Sequence, residues 1–193
     1  MNGLHKYENN QIVKKNQKKF KYSDINYKAK VVMNLQGINV LVDGYNLEMT
    51  KGTGIKTYGL SLIKALVSLE ANVDLLCSRY TNGNDLFLNE VLFFDRQKYN
   101  DSNLKLKTIL TAFTKRFYYA EELQISNFVI KQDVDSVFDY LGSSGQVFNI
   151  VNCYKIVNNL YKYFYRVSKI KIKKKIDIWH ETYPLPIRVN DAK

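Results

Sequence analysis

The forty residues from Ile38 to Cys77, INVLVDGYNLEMTKGTGIKTYGLSLIKALVSLEANVDLLC, constrain the fold of this chain more than any other stretch. They open on a nearly continuous apolar run, Ile38-Asn39-Val40-Leu41-Val42, of the kind that suits a strand buried on both faces of a parallel sheet. Asp43-Gly44-Tyr45-Asn46 then reads as a turn, followed by the glycine pair in Gly52-Thr53-Gly54. Beyond it Ile55, Tyr58, Leu62, Ala65, Leu66 and Leu69 recur at helical spacing, and Val73 to Cys77 return to a strand pattern. This order predicts a βαβ unit in a parallel sheet, with a strand at Val40 to Val42 and a helix from Ile55 to Leu69. Free backbone N–H groups and the helix dipole at such a glycine-lined entrance can hold an anion.

The loop departs from the dinucleotide fingerprint Gly-x-Gly-x-x-Gly. Thr57 stands where the third glycine belongs, and Gly59 comes two residues too late. Glycines also serve tight strand-to-helix turns that bind nothing. The loop alone leaves the plain turn and the phosphate site both open.

Elsewhere the chain is less regular. Leu86 to Phe94 is apolar without a clear period, Leu104 to Ile130 is helical in composition, and Asp135 to Leu141 suits a short strand or turn. Gly142-Ser143-Ser144-Gly145 is a break. From Tyr154 to Ile170 an apolar stripe of Ile156, Val157, Leu160, Tyr161, Phe164 and Val167 opposes a basic face. Residues 1–36 are polar and lysine-dotted and read as a basic, disordered extension ahead of a domain at 37–193. No stretch approaches the roughly 18 apolar residues of a membrane span, and the first residues lack the apolar core of a secretion signal. Cys77 and Cys153 are too few for a disulfide framework and read as small packers in a reducing compartment. With only His5 and His180, no zinc-type spacing exists.

A second block, Ile176-Asp177-Ile178-Trp179-His180-Glu181-Thr182-Tyr183-Pro184-Leu185-Pro186-Ile187, gives the first one a context. Val-Asp-Gly-Tyr-Asn-Leu, then Gly-Thr-Gly-Ile-Lys-Thr-Tyr-Gly, resembles the opening of the N-terminal domain of family 4 glycosyltransferases. The second block resembles the strand and His-x-Thr-x-Pro-Leu-Pro loop late in that domain. The resemblance covers Ile38 to about Lys193 and is motif-dense only at its two ends. It implies an α/β, Rossmann-like three-layer domain with a parallel sheet, one incomplete half of a GT-B architecture. The family's following strand with a Thr-x-His-Asp motif and its C-terminal donor-binding domain have no counterpart in these 193 residues. A fragment, a truncated gene product or half of a split enzyme is therefore expected, not competent alone.

The implied reaction moves a hexose-type sugar from a nucleotide sugar to an acceptor hydroxyl with retention, in cell-surface polysaccharide or glycolipid synthesis. Gly52, Thr53 and Gly54 would form the donor-diphosphate loop, and Asp43, His180, Glu181, Thr182 and Tyr183 the acceptor-side wall. No metal, and no cofactor besides the nucleotide-sugar donor as substrate, is expected. The implied partners are the nucleotide sugar, an acceptor glycan or lipid-linked sugar, and a separately encoded C-terminal half. The implied location is cytoplasmic, peripheral at the inner membrane face.

Each residue also has a plainer reading. Asp43 beside Gly44 suits a turn cap. Tyr58 falls on the expected apolar helix face, Trp179 suits core or cleft wall, and His180 could make only a structural hydrogen bond. Pro184 and Pro186 would stiffen their loop by fixing φ.

The net charge of +11, with no acidic residue from Asn152 through Ile176, bears on partners rather than on fold. Solvated lysines on a packed helix and contact with an anionic membrane both fit. Nucleic acid ranks last. Leu41-Val42-Asp43-Gly44-Tyr45-Asn46 also resembles the first strand of PIN-like (NYN-type) ribonucleases, in which Asp43 and some of Asp74, Asp95, Asp133 or Asp135 would converge on Mg²⁺. A non-catalytic Rossmann-like binding module is the third alternative.

Overall fold

Strand β1 (Asn39–Asp43) lies between two parallel neighbours, β2 (Asn72–Cys77) and β7 (Ile178–His180). The computed structural model describes residues 34–49, 54–81, 83, 85–95, 106–126, 129, 133–141, 144–190 and 192–193. The expected extension, 1–36, falls outside these residues except for Asn34 to Gln36. There the Leu35 N–H donates to the Leu69 carbonyl at 2.8 Å, and the Leu35 side chain packs on the core.

The five-stranded sheet runs in the order β4 (Glu121–Leu123), β5 (Val147–Asn149), β2, β1, β7. Every pairing is parallel except β4 with β5. Helix α1 (Gly54–Ser68) is the crossover from β1 to β2, as the order of apolar run, glycine turn and periodic segment predicts. From β1 the chain first builds outward through β2 to β5, then returns to place β7 on β1's other side. Strand order therefore reverses between β1 and β7, which makes that boundary the sheet's topological switch point.

Alternation along the strands divides the core into two layers. Val40 and Val42 join Val73, Leu75 and Cys77 on one face, with Ile63 of α1 and the aromatics Phe93, Phe94 and Phe138. Phe93 and Phe94 belong to α2 (Leu86–Phe94), and Phe138 to a 3-10 helix at Asp133–Tyr140. Leu41 and Leu76 point the other way, toward Ile109 and Ala112 of α3 (Leu106–Thr114) and Tyr154, Val157 and Leu160 of α4 (Cys153–Phe164). The result is a Rossmann-like α/β domain with helices on both faces of a mostly parallel sheet. A smaller parallel sheet, β3 (Tyr118–Tyr119), β6 (Ser168–Lys171) and β8 (Ile187–Val189), lies outside this frame.

Several local expectations change. Helix α1 buries Gly59 and Ile63, whereas Ile55 and Tyr58 are about half exposed; the buried stripe is rotated from the one the spacing suggested. Leu86 to Phe94 is a helix started by Asp85, whose carboxylate accepts from the Leu88 N–H at 2.7 Å, a cap the apolar composition had masked. The region read as mostly helical turns at Tyr118 into short strands, and Asp133–Tyr140, where a short strand or turn was expected, is a 3-10 helix. Cys77 and Cys153 are buried free thiols, and burial pushes the Cys153 thiol far up. No helix among the described residues is long and apolar enough to cross a membrane.

Candidate functional site

The switch point brings the two diagnostic blocks together. At the carboxyl end of β1, Asp43 is fully buried, and Val42 pairs in register with His180 at the end of β7. The Thr182 N–H donates to Asp43 Oδ2, and the Thr182 hydroxyl lies 3.1 Å from Asp43 Oδ1. The Tyr45 N–H donates to the same Oδ1 at 3.1 Å, so the carboxylate caps its own turn and clamps the β7 loop at once. The reading of Asp43 as a turn cap holds, and the same carboxylate also ties β1 to the loop after β7. Burial raises its pKa from the ordinary carboxylate value, against the hydrogen bonds from Thr182 and Tyr45 that pull it down.

Asn46, also buried, holds the other side of Thr182, its amide Nδ2 lying 3.2 Å from Oγ1. Gly44 is required here by space: a Cβ would sit 2.7 Å from the Leu76 carbonyl oxygen. The Gly44 N–H donates both to that oxygen and, at 2.9 Å, to the Tyr154 hydroxyl, which itself donates to the Leu76 carbonyl. Burial pushes the Tyr154 phenol well up, keeping it a neutral donor.

Around this scaffold lie aromatic faces. Tyr45 and Tyr183 stack with centroids 4.6 Å apart, and Tyr45 meets Tyr154 edge-on at 5.4 Å. From α1, the exposed Tyr58 brings its hydroxyl to 3.4 Å from His180 Nε2. Tyr58 is therefore not core packing but part of the crevice rim. Gly59 lets α1 come this close, since its Cβ would stand 3.1 Å from Leu47 Cδ2 and 3.7 Å from Thr182 Cγ2.

The expected acceptor-side residues Asp43, His180, Thr182 and Tyr183 thus lie together at the carboxyl ends of β1 and β7. Glu181 does not enter this hydrogen-bond set; its carboxylate accepts the Trp179 indole N–H at 2.8 Å and steadies that ring against the core. Gly52 and Thr53 lie outside the described residues. Gly54 opens α1, exposed, with no neighbour within 4 Å of a Cβ among the described residues, so nothing described there demands glycine. Sequence reasoning passed over Tyr45, Asn46, Gly59 and Tyr154. Tyr45 and Asn46 adjoin Asp43 and carried a signal; Tyr154, over a hundred residues away, carried none.

Among the described residues, Asp74 and Asp95 do not gather with Asp43 as a metal nuclease would need. Asp74 Oδ1 accepts from Lys174 Nζ at 2.9 Å and from the Gln146 N–H, on β2 rather than at the crevice. Asp95 caps the end of α2, and Asp133 and Asp135 lie in the 3-10 helix. No group of three or more His, Cys, Asp or Glu side chains suited to a metal ion occurs among the described residues. Comparison with protein-family models, with curated proteins and with solved structures yields no match.

Proposed function

We propose that this domain is the acceptor-side half of a retaining, nucleotide-sugar-dependent GT-B glycosyltransferase. One observation carries the reading: the Asp-Gly-Tyr-Asn turn and the His-Glu-Thr-Tyr-Pro loop, 139 residues apart at Asp43 and Thr182, form a single hydrogen-bonded wall at the switch point. Ligands of open α/β sheets bind in that crevice, beyond the carboxyl ends of the strands. Stacked Tyr45 and Tyr183, with the polar tips of Tyr58 and His180, offer apolar bodies and hydrogen-bonding edges of the kind a sugar ring presents in turn.

In this reading the departing diphosphate meets backbone N–H groups at the start of α1, whose first turn holds no acidic side chain. The acceptor hydroxyl is oriented on the Thr182–Tyr183 side. Positive charge grows at the anomeric carbon while negative charge grows on the leaving group. Catalysis then rests on electrostatic stabilisation and positioning in a closed cleft. The domain supplies one wall of that cleft, so the reading requires a second Rossmann-like domain, on the same polypeptide or a separate one, to supply the other.

The test is nucleoside diphosphate release from a panel of nucleotide sugars plus acceptor glycans, with and without a C-terminal GT-B domain. Transfer is expected only when both domains are present, and turnover by the 193-residue chain alone would refute the two-domain reading. Mg²⁺-dependent cleavage of single-stranded RNA that disappears in Asp43→Asn would replace this proposal with the nuclease reading.

A further inference from the structure

The face where α3 and α4 end carries rings that the domain does not use for its own packing. The apolar stripe expected on α4 is buried only as far as Leu160; Tyr161, Phe164 and Val167 beyond it are exposed. The Arg166 guanidinium donates to the Phe113 and Lys115 carbonyls, tying the end of α4 to the end of α3. Beside this tie Lys115, Arg116, Phe117, Tyr118, Tyr119 and Ile150 line a hollow of about 490 Å³. Tyr118 turns into the core, whereas Tyr119 is 68% exposed. Tyr165 is 83% exposed and adopts φ 51° at the C-cap of α4, where glycine or asparagine is the favoured residue. Its ring contact with Tyr161, edge to face at 6.2 Å, covers at most one of its faces. Other rings here are engaged: Phe117 by Arg116 at 5.3 Å and Lys171 at 4.1 Å, Tyr163 by Lys162, and Phe113 by Arg166 and Phe164. Neither contributing stretch, 106–120 or 144–176, contains an aspartate or glutamate.

We propose that this α3–α4 face binds single-stranded nucleic acid. Sequence alone ranks that partner last, because it does not tell open rings from packed ones. The fold opens Tyr119 and Tyr165 and sets Lys115, Arg116, Lys162 and Lys171 among the rings. A single strand presents phosphates to such cations and unpaired bases to such rings, and every base has a face that stacks. A duplex keeps its base faces in its own stack. A lipid leaflet answers to the cations but offers no flat ring to lay on Tyr119 or Tyr165, and no strand to enter the hollow. The proposal draws on no residue of the β1–β7 crevice and involves binding without cleavage, so it stands or falls separately from the sugar reading.

The experiment is fluorescence anisotropy of the full chain with a labelled single-stranded oligonucleotide of about twelve nucleotides. The same strand made abasic, its duplex, and phosphatidylglycerol vesicles are the comparisons. The single strand should bind about tenfold or more tighter than the abasic strand, which keeps the phosphates and lacks the bases. Tyr119→Thr suits a strand and Tyr165→Gly suits a left-handed cap, so both keep the fold. Each should weaken binding by about tenfold and narrow the gap to the abasic strand. Lys115→Gln/Arg116→Gln/Lys171→Gln should instead lower the slope of log affinity against log salt by about 2, at about 0.7 per phosphate contact. Thermal unfolding of each variant separates lost binding from lost structure. Equal affinity for the abasic strand, unchanged binding by the folded variants, or tighter binding to the vesicles at the same salt would overturn the proposal.

Discussion

Asp43 and Thr182, separated by 139 residues, are joined by two hydrogen bonds that close the loop after β7 onto the end of β1. The pair fixes the crevice wall and buries a carboxylate in the same act. Removing the acceptors strands the Thr182 and Tyr45 donors, so Asp43→Ala should destabilise the domain by about 2–3 kcal/mol. Asp43→Asn keeps one acceptor oxygen but turns an amide NH2 toward the Thr182 or the Tyr45 N–H, so it should cost about 1–2 kcal/mol, less than Asp43→Ala. Thr182→Val should cost about 1 kcal/mol and be non-additive with Asp43→Ala, as residues in one network are. Urea unfolding of the native chain, the three single variants and the Asp43→Ala/Thr182→Val double variant measures this.

The raised pKa of Asp43 sets a sign for pH dependence. The native state keeps a proton that the unfolded chain has released, so this contribution is complete below the unfolded value of about 3.9. It is lost as pH rises through the higher native value. The stability advantage of the native sequence over Asp43→Asn should therefore shrink from pH 4 upward. An advantage that grows with pH would contradict the assignment. Asp74 shifts in the same direction and is common to both proteins, so it cancels in the difference.

Two glycines make opposite predictions. Gly44→Ala places a Cβ 2.7 Å from the Leu76 carbonyl oxygen and should cost about 1–3 kcal/mol or more in stability. Gly54 has open space around it, so Gly54→Leu should leave thermal unfolding nearly unchanged while lowering transfer by the two-domain enzyme. Equal activity of Gly54→Leu would remove the loop from the proposed donor site.

What the sequence made legible follows from locality. Val40 to Val42, the crossover helix and Val73 to Cys77 are adjacent in the chain, and an apolar run, a turn and a period of 3.6 suffice to place them. The His180–Tyr183 loop was legible only through resemblance, since nothing local says that β7 pairs with β1. The rotated face of α1 has a specific cause: Gly59 carries no hydrophobic signal, yet it sits at the closest approach to Leu47. Tyr58 kept an aromatic's appearance of core while lining the crevice. Short strands β3, β4 and β8, two or three residues each, owe their form to neighbours rather than to propensity.

The pair Asp74–Lys174 tests the buried electrostatics of the sheet. Asp74 is fully buried, its Oδ2 has no hydrogen-bond partner among the described residues, and Lys174 retains 23% side-chain exposure. Loss of one member of a buried pair costs about 3–5 kcal/mol, and the partial exposure of Lys174 reduces that to about 1–3 kcal/mol. Lys174→Met should lose that much, and Asp74→Leu added to it should restore most of the loss. Chemical denaturation of the single and double variants checks the order.

The central claim, that the β1 turn and the β7 loop form one sugar-binding wall, is tested most directly by amide NMR. The isotopically labelled chain is titrated with nucleotide sugars and short glycans, then with single-stranded RNA and Mg²⁺. The account predicts that sugar ligands shift the amides of Tyr45, Tyr58, His180, Thr182 and Tyr183 together, with one binding curve. Shifts of these amides by RNA and Mg²⁺ with none by any sugar ligand would contradict it.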